Sequence, residues 1–240
     1  MHSTSSWPRC RRAFVGSGLV SAYREEIAGA VALIEPVDAL EAEHRAAVLD
    51  WIDSGDELYR LVPPDQPPMH LVSYFVPLDL ASDSLLVAAH RKSGLVLPPG
   101  GHCEVGEMPW QTVQRECVEE LGIPAVALPW LGPEPLFVTV TETQGSVVRR
   151  HSDVSLWHVI EVKREDERLR PDAGEFDGVH WLSFDELLAE PIERFDPHMH
   201  RFALKLRAAG QHPPDHHRGH PVYPRSPGMG CTVMPAAVRN

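Results

Sequence analysis

The chain is short of cysteine, of aromatic residues and of positive charge, and each shortage closes off a class of function. Four cysteines, at positions 10, 103, 117 and 231 of 240 residues, are too scattered for a disulfide framework or a cysteine zinc site. The compartment is read as reducing, and the expected location is cytoplasmic. Lys and Arg total 22 against 34 Asp and Glu, a formal net charge of −12, which repels phosphate backbones and anionic lipid surfaces. Neither nucleic acid nor membrane is therefore expected as a partner, and no apolar run approaches the roughly 18 residues of a membrane span. Aromatics make up only 7%, yet an apolar fraction of 43% is ample for one core.

Composition divides the chain into four parts. Residues 1–26 read as a disordered leader; Arg11-Arg12 before a short apolar stretch faintly resembles an export signal, but glycines interrupt the stretch and Tyr23-Arg24-Glu25-Glu26 follows at once. Residues 27–67 read as a helical extension, with a helix over 39–52 closed by Ser54-Gly55 and a Pro-rich connector, PPDQPP, at 63–68. A core domain spans 68–209, and 210–240 is a Pro/His-rich tail without periodicity, expected to be disordered. Its His212, His216, His217 and His220 lack the fixed geometry that a metal site needs.

Within the core, β-branched and apolar runs predict strands at 70–77, 84–90, 94–97, 135–141, 153–163 and 178–182. Ser183-Phe184-Asp185-Glu186 has the form of a capping box, and Asp196-Pro197 opens a helix to about residue 209. The fold class is α/β, a mixed sheet between helices.

The segment 101–123, GHCEVGEMPWQTVQRECVEELGI, carries the chemistry. Pro109 suits a helix's first turn and Gly122 its left-handed stop. Trp110, Val113, Cys117 and Leu121 recur at three- and four-residue spacing and form one apolar stripe. At about 100° per residue, Glu116 and Glu120 lie roughly 40° apart beside that stripe, while Glu119 points further out. Arg115 is placed to pair with Glu119, four residues on. Two neighbouring carboxylates repel, so something positive is wanted between them. A hard cation such as Mg²⁺ meets that need, since it binds through one or two carboxylates and keeps waters and phosphate oxygens in its remaining positions. Upstream, Pro98-Pro99-Gly100-Gly101 forms a turn whose backbone can approach a phosphate closely.

Glycine, five residues, Glu107, seven residues, Arg115-Glu116, Cys117, one residue, Glu119-Glu120, Leu121-Gly122-Ile123: at every fixed position this resembles the Nudix box. The resemblance covers about residues 68–209 and implies a Nudix-type αβα sandwich and Mg²⁺- or Mn²⁺-dependent hydrolysis of a nucleoside diphosphate linked to another group. It implies metal ligation by Glu116, Glu119, Glu120 and the carbonyl near Gly101, with Glu107 and Arg115 in the catalytic set. It also implies an acidic residue ahead of the last strand, for which Glu175 is the candidate, and leaves the general base open between Glu119 and Glu175. Arg91, Lys92, His102 and Glu104 are candidates for contacting substrate. His151, Ser152 and Asp153 are read as simply beginning a strand.

Relatives that cleave ADP-ribose, diadenosine polyphosphates or NADH tend to carry a proline, a tyrosine or an SQPWPFPxS-type motif downstream of the box. Here that stretch is LFVTV at 136–140. A nucleoside triphosphate or modified nucleotide is therefore the expected small-molecule substrate. An ADP-ribose or nucleotide-sugar pyrophosphatase and a non-catalytic nucleotide sensor are the alternatives, and homodimerisation is left open.

Overall fold

A computed structural model describes residues 17–62, 66–143, 151–166 and 168–211; of the tail expected over 210–240 only residues 210 and 211 are described, as the end of the last helix, and residues 1–16 of the leader lie outside the described residues. In chain order the elements are α1 (Ser17–Leu33), α2 (Ala39–Ser54), β1 (Met69–Asp79), β2 (Ser84–His90), β3 (Val96–Leu97), β4 (Gly100–His102) and α3 (Pro109–Leu121). They continue as β5 (Phe137–Glu142), β6 (Ser152–Glu161), β7 (Phe176–Ser183), α4 (Phe184–Ala189) and α5 (Met199–Gln211).

β1 is the axis of the sheet. It runs parallel to β6 from Met69↔Ser152 to Leu78↔Glu161 and antiparallel to β2 and β4, in the order β3-β2-β1-β6-β5 with β4 on β1 and β7 on β2. Alternation along β1 sorts the core. Val76 and Leu78 face Phe184, Leu187, Met199, Phe202 and Leu206 of α4 and α5. Phe75 faces Val113, Cys117 and Leu121 of α3, and Leu71 faces Ile27, Val31, Trp51 and Ile52 of α1 and α2. Helices therefore cover both sheet faces, the expected αβα sandwich. Each fully buried leucine-sized side chain contributes about 1.5–3 kcal/mol.

Local chemistry explains the helix ends. Asp38 accepts from Glu41 N–H (2.8 Å) at the start of α2, and Gly55 ends it at φ 84°. The capping box at Ser183 and Glu186 forms as the sequence predicts. Two expectations need correction. Residues 17–26, read as leader, lie in α1, whose weak amphipathic pattern concealed it. The glycine turn does not stop at Gly101: β4 pairs Gly100, Gly101 and His102 with Tyr74, Ser73 and Val72, a contact between distant segments that the local turn signal masks.

A buried ion pair joins the extension to the last helix. Lys205 Nζ donates to Glu41 Oε1 (2.6 Å), with Glu41 fully buried, and Glu41 Oε2 accepts from Val37 N–H (2.7 Å). Glu41→Ala would leave the Lys205 charge buried and unpaired. It should cost about 3–5 kcal/mol in urea unfolding, whereas a Glu41→Leu, Lys205→Met double variant should recover most of that loss.

Candidate active site

The site is assembled where β4 passes under α3. Gly100 sits at φ 144° with its backbone against β1, and a Cβ there would lie 2.2 Å from Ser73 O. A Cβ on Gly101 would lie 2.0 Å from Glu116 Oε1. Glycine at 101 thus lets the Glu116 carboxylate rest directly on the turn. Gly100 N–H donates to Glu120 Oε2 (2.8 Å), so both inward carboxylates of α3 are gathered at the same two glycines. Beside them on α3, Val113, Cys117 and Leu121 are fully buried, which fixes the helix's rotation.

Arg115 organises the outer half. Its Nε and Nη2 donate to the two oxygens of Glu107 (2.9 and 3.0 Å), Nη1 donates to Glu116 Oε1 (2.6 Å) and Glu119 Oε2 (3.2 Å), and Nη2 also reaches His102 O (3.1 Å). The expected Glu119 pair is present, but the two-pronged bond goes to Glu107. Glu107 further accepts from Thr112 Oγ1 (2.8 Å) and Glu104 N–H (3.1 Å). Burial pushes the Glu107 carboxyl up, and these donors outweigh it, holding the carboxyl below its ordinary value. Glu107 is thereby a fixed anion that orients Arg115.

The inner carboxylates are in the opposite condition. Burial raises Glu116, only partly offset by Arg115. Burial, and then the Glu116 charge, push Glu120 up to about 8. Glu120 is 8% exposed. Two crowded, half-desolvated carboxylates with oxygen donors alone fit a hard divalent cation, which would relieve both burdens.

The remaining candidates are distributed around this centre. Glu175 lies close enough for its charge to raise Glu120 further, and Lys92 Nζ reaches both its oxygens (3.3 Å), with His90 Nε2 at 3.7 Å. Arg91 Nε is paired with Asp177 (2.8 Å), and its N–H donates to Glu175 O (2.9 Å). Glu104 is exposed, and its N–H serves Glu107. The His102 ring faces His70, His151 and Asp153. Arg60, which sequence reasoning did not single out, reaches His102 Nε2 through Nη1 (3.2 Å) and lies in the field of Glu116. No local motif marks it. A surface depression of about 1010 Å³ lined by Asp79, Lys163, Arg164, Asp166 and Arg168 includes none of the box carboxylates.

A mixed sheet between helices, with a glycine strand holding a carboxylate helix against it, defines a class of phosphoanhydride hydrolase. The NUDIX domain matches residues 69–203, and the chain belongs to the Nudix family, as a Nudix pyrophosphohydrolase. Among solved structures it is similar to the E. coli ORF135 protein, at 23% identity over 61% of this chain and 95% of that one (TM-score 0.45). It is also similar to a MutT protein from Methanosarcina mazei Go1, at 14% identity over 60% and 96% (TM-score 0.46). A third is the E. coli dihydroneopterin triphosphate pyrophosphohydrolase, at 16% identity over 62% and 97% (TM-score 0.45). No curated protein matches the chain.

The glycines generate a paired prediction. Gly101→Ala should displace Glu116, whose side chain can swing away, and so abolish turnover with little change in melting temperature. Gly100→Ala meets rigid backbone at a φ that L-residues rarely adopt, and should lower the melting temperature itself.

Glu120 generates a second. Its folded pKa lies above the unfolded one, so the metal-free fold retains a proton that the unfolded chain releases, and stability falls as pH rises from the ordinary carboxylate range through about 8. In chelator, Glu120→Gln should melt higher than wild type at about pH 8 and close to it at about pH 5. Equal differences at both pH values would mean that Glu120 ionises normally.

Proposed function

We propose that the chain hydrolyses a diphosphate bond in a nucleoside triphosphate or another nucleoside diphosphate-X compound, with Mg²⁺ or Mn²⁺ as cofactor. The observation that carries this reading is the pairing of Glu116 and Glu120 on the Gly100-Gly101 backbone, with Glu120 pushed up to about 8. Glu116 and Glu120 would be the principal ligands, with Glu119, the Gly101 backbone and Glu175 completing the set. When bound, the ion neutralises the diphosphate and acidifies a water.

The chain's own residues do the positioning. Arg115 locks Glu116 against the turn and is itself held by Glu107, so the ligand geometry is set before substrate arrives. Glu119 is 59% exposed and, among the described residues, tethered by the tip of Arg115, which suits it to take the proton of an attacking water. Glu175, held by Lys92 and His90, is the second candidate for that role. Lys92, 74% exposed, is a natural contact for an outer phosphate. Water adds to a phosphorus within the chain, the bridging P–O bond breaks, and a triphosphate yields nucleoside monophosphate and pyrophosphate. No covalent protein intermediate is needed.

The test is a panel of ordinary and oxidised nucleoside triphosphates, nucleotide sugars, ADP-ribose, dinucleoside polyphosphates and coenzyme A with Mg²⁺. A nucleoside triphosphate or its damaged analogue should be cleaved best, and Glu120→Gln should lower kcat/KM by more than roughly 100-fold while circular dichroism stays unchanged. Preference for ADP-ribose or a nucleotide sugar would refute the substrate class. Binding without cleavage across the panel would refute hydrolysis, and full turnover in chelator would refute the metal.

A further inference from the structure

Four residues outside the carboxylate centre converge on one point. His70 comes from β1, His102 from the end of β4, His151 from the residue just ahead of β6 and Asp153 from the start of β6. One donor atom from each lies within 4.8 Å of all the others. Asp153 Oδ1 stands 3.3 Å from His70 Nε2, 3.5 Å from His151 Nε2 and 3.7 Å from His102 Nε2. Four donors at about 2.0–2.1 Å from a zinc-class ion stand about 3.3 Å apart along the edges of a tetrahedron. The three edges from Asp153 already have nearly that length, and the remaining donor pairs lie within 4.8 Å.

Hydrogen bonding makes the case independently of the spacing. His70 is fully buried, and its Nδ1 lies 2.9 Å from Pro67 O, which assigns the ring proton to Nδ1 and leaves Nε2 with a lone pair. That lone pair faces Asp153 Oδ1, and among the described residues these two buried atoms have no hydrogen-bond partner. His151 Nδ1 lies 3.1 Å from Thr143 Oγ1, an outer contact that likewise turns Nε2 inward. His102 Nε2 accepts from Arg60 Nη1 (3.2 Å) and so has no proton to offer Asp153. One shared proton would satisfy one imidazole; a dication would satisfy all four donors. An anionic ligand is excluded by the carboxylate at the centre.

We propose that His70, His102, His151 and Asp153 form a closed tetrahedral site for a borderline transition-metal dication of the zinc class, separate from the carboxylate site. Three imidazoles and one carboxylate suit such an ion and not Mg²⁺. Arg60 is half-buried and swings off His102 when the ion enters. Four protein ligands leave no open position, so the ion is structural: it pins the end of β4, and with it the glycines under Glu116 and Glu120, to β1 and β6. His102 then serves the ion and not a substrate phosphate.

The test uses the full chain with His212, His216, His217 and His220 changed to Ala, which removes the tail imidazoles as competitors. After chelator treatment, Zn²⁺ is titrated against a chromophoric competitor and Co²⁺ by visible absorption. One equivalent of Zn²⁺ should bind and raise the melting temperature, Co²⁺ should give the intense bands of four-coordination, and Glu120→Gln should leave both unchanged. His151→Gln and Asp153→Asn should each weaken Zn²⁺ by more than the roughly 10–100-fold that an outer-shell change costs. Circular dichroism identifies any variant that fails to fold, in which case the other decides. No stoichiometric binding, undiminished binding in both folded variants, a six-coordinate Co²⁺ spectrum, or loss of Zn²⁺ in Glu120→Gln would each overturn the site.

Discussion

Two carboxylates, Glu116 and Glu120, are forced together on the backbone of two glycines, and the rest of the structure is arranged around that repulsion. β4 can lie under α3 only because Gly100 and Gly101 have no side chains: one would strike Ser73 on β1, the other Glu116. The apolar stripe of α3 then leaves the helix no other rotation, since Val113, Cys117 and Leu121 are sealed against Phe75, Leu86 and Ile160. The burial that stabilises the fold along this stripe therefore also crowds and desolvates the two carboxylates beside it. The fold holds two crowded carboxylates in fixed positions at a cost in stability, as in preorganised charge sites generally.

Arg115 keeps the cost tolerable without cancelling it. A guanidinium can serve Glu107 with a planar fork while its remaining N–H groups reach Glu116, Glu119 and His102 O. Lysine, a single point charge, could not hold that geometry. The arginine's charge serves Glu107, Glu116 and Glu119, and among the described residues Glu120 receives the Gly100 N–H alone. This asymmetry is why Glu107 is held below its ordinary value and Glu120 is raised. The first is a fixed anchor and the second a carboxyl left without a cationic partner among the described residues.

How much could be read in the sequence follows from the range of each interaction. α3 was legible to the residue, from Pro109 to Gly122, because cap, stripe and carboxylates all lie within one contiguous segment. The uneven standing of Glu116, Glu119 and Glu120 was legible too, since it follows from helix angle alone. β4 was not, because Pro98-Pro99-Gly100-Gly101 gives a strong local turn signal while its partners, Val72 to Tyr74, lie far upstream. The strand-opening residues His151 and Asp153 looked unremarkable for the same reason. They acquire meaning only when the parallel register of β1 and β6 sets Asp153 opposite His70.

The extension ahead of the box proves to be a structural part of the site. Leu58 O accepts from Leu71 N–H (2.8 Å), which seats the segment after α2 along β1, and Tyr59 Oη donates to Glu107 O (3.2 Å). Burial raises the Tyr59 hydroxyl above its ordinary value, so it remains a neutral donor there. Cys103 and Met108, which flank the loop between β4 and α3, are buried among Ile27, Val31, Trp51 and Ile52 of α1 and α2. The loop that carries Glu107 is thus wedged between the sheet and two helices that lie before the family-matching region. Arg60 extends the same arrangement to the site's edge, where its charge lies between Asp153 and Glu116. A box glutamate that must hold Arg115 to within hydrogen-bonding tolerance needs a rigid backing, and in this chain the backing comes from residues that precede the domain match.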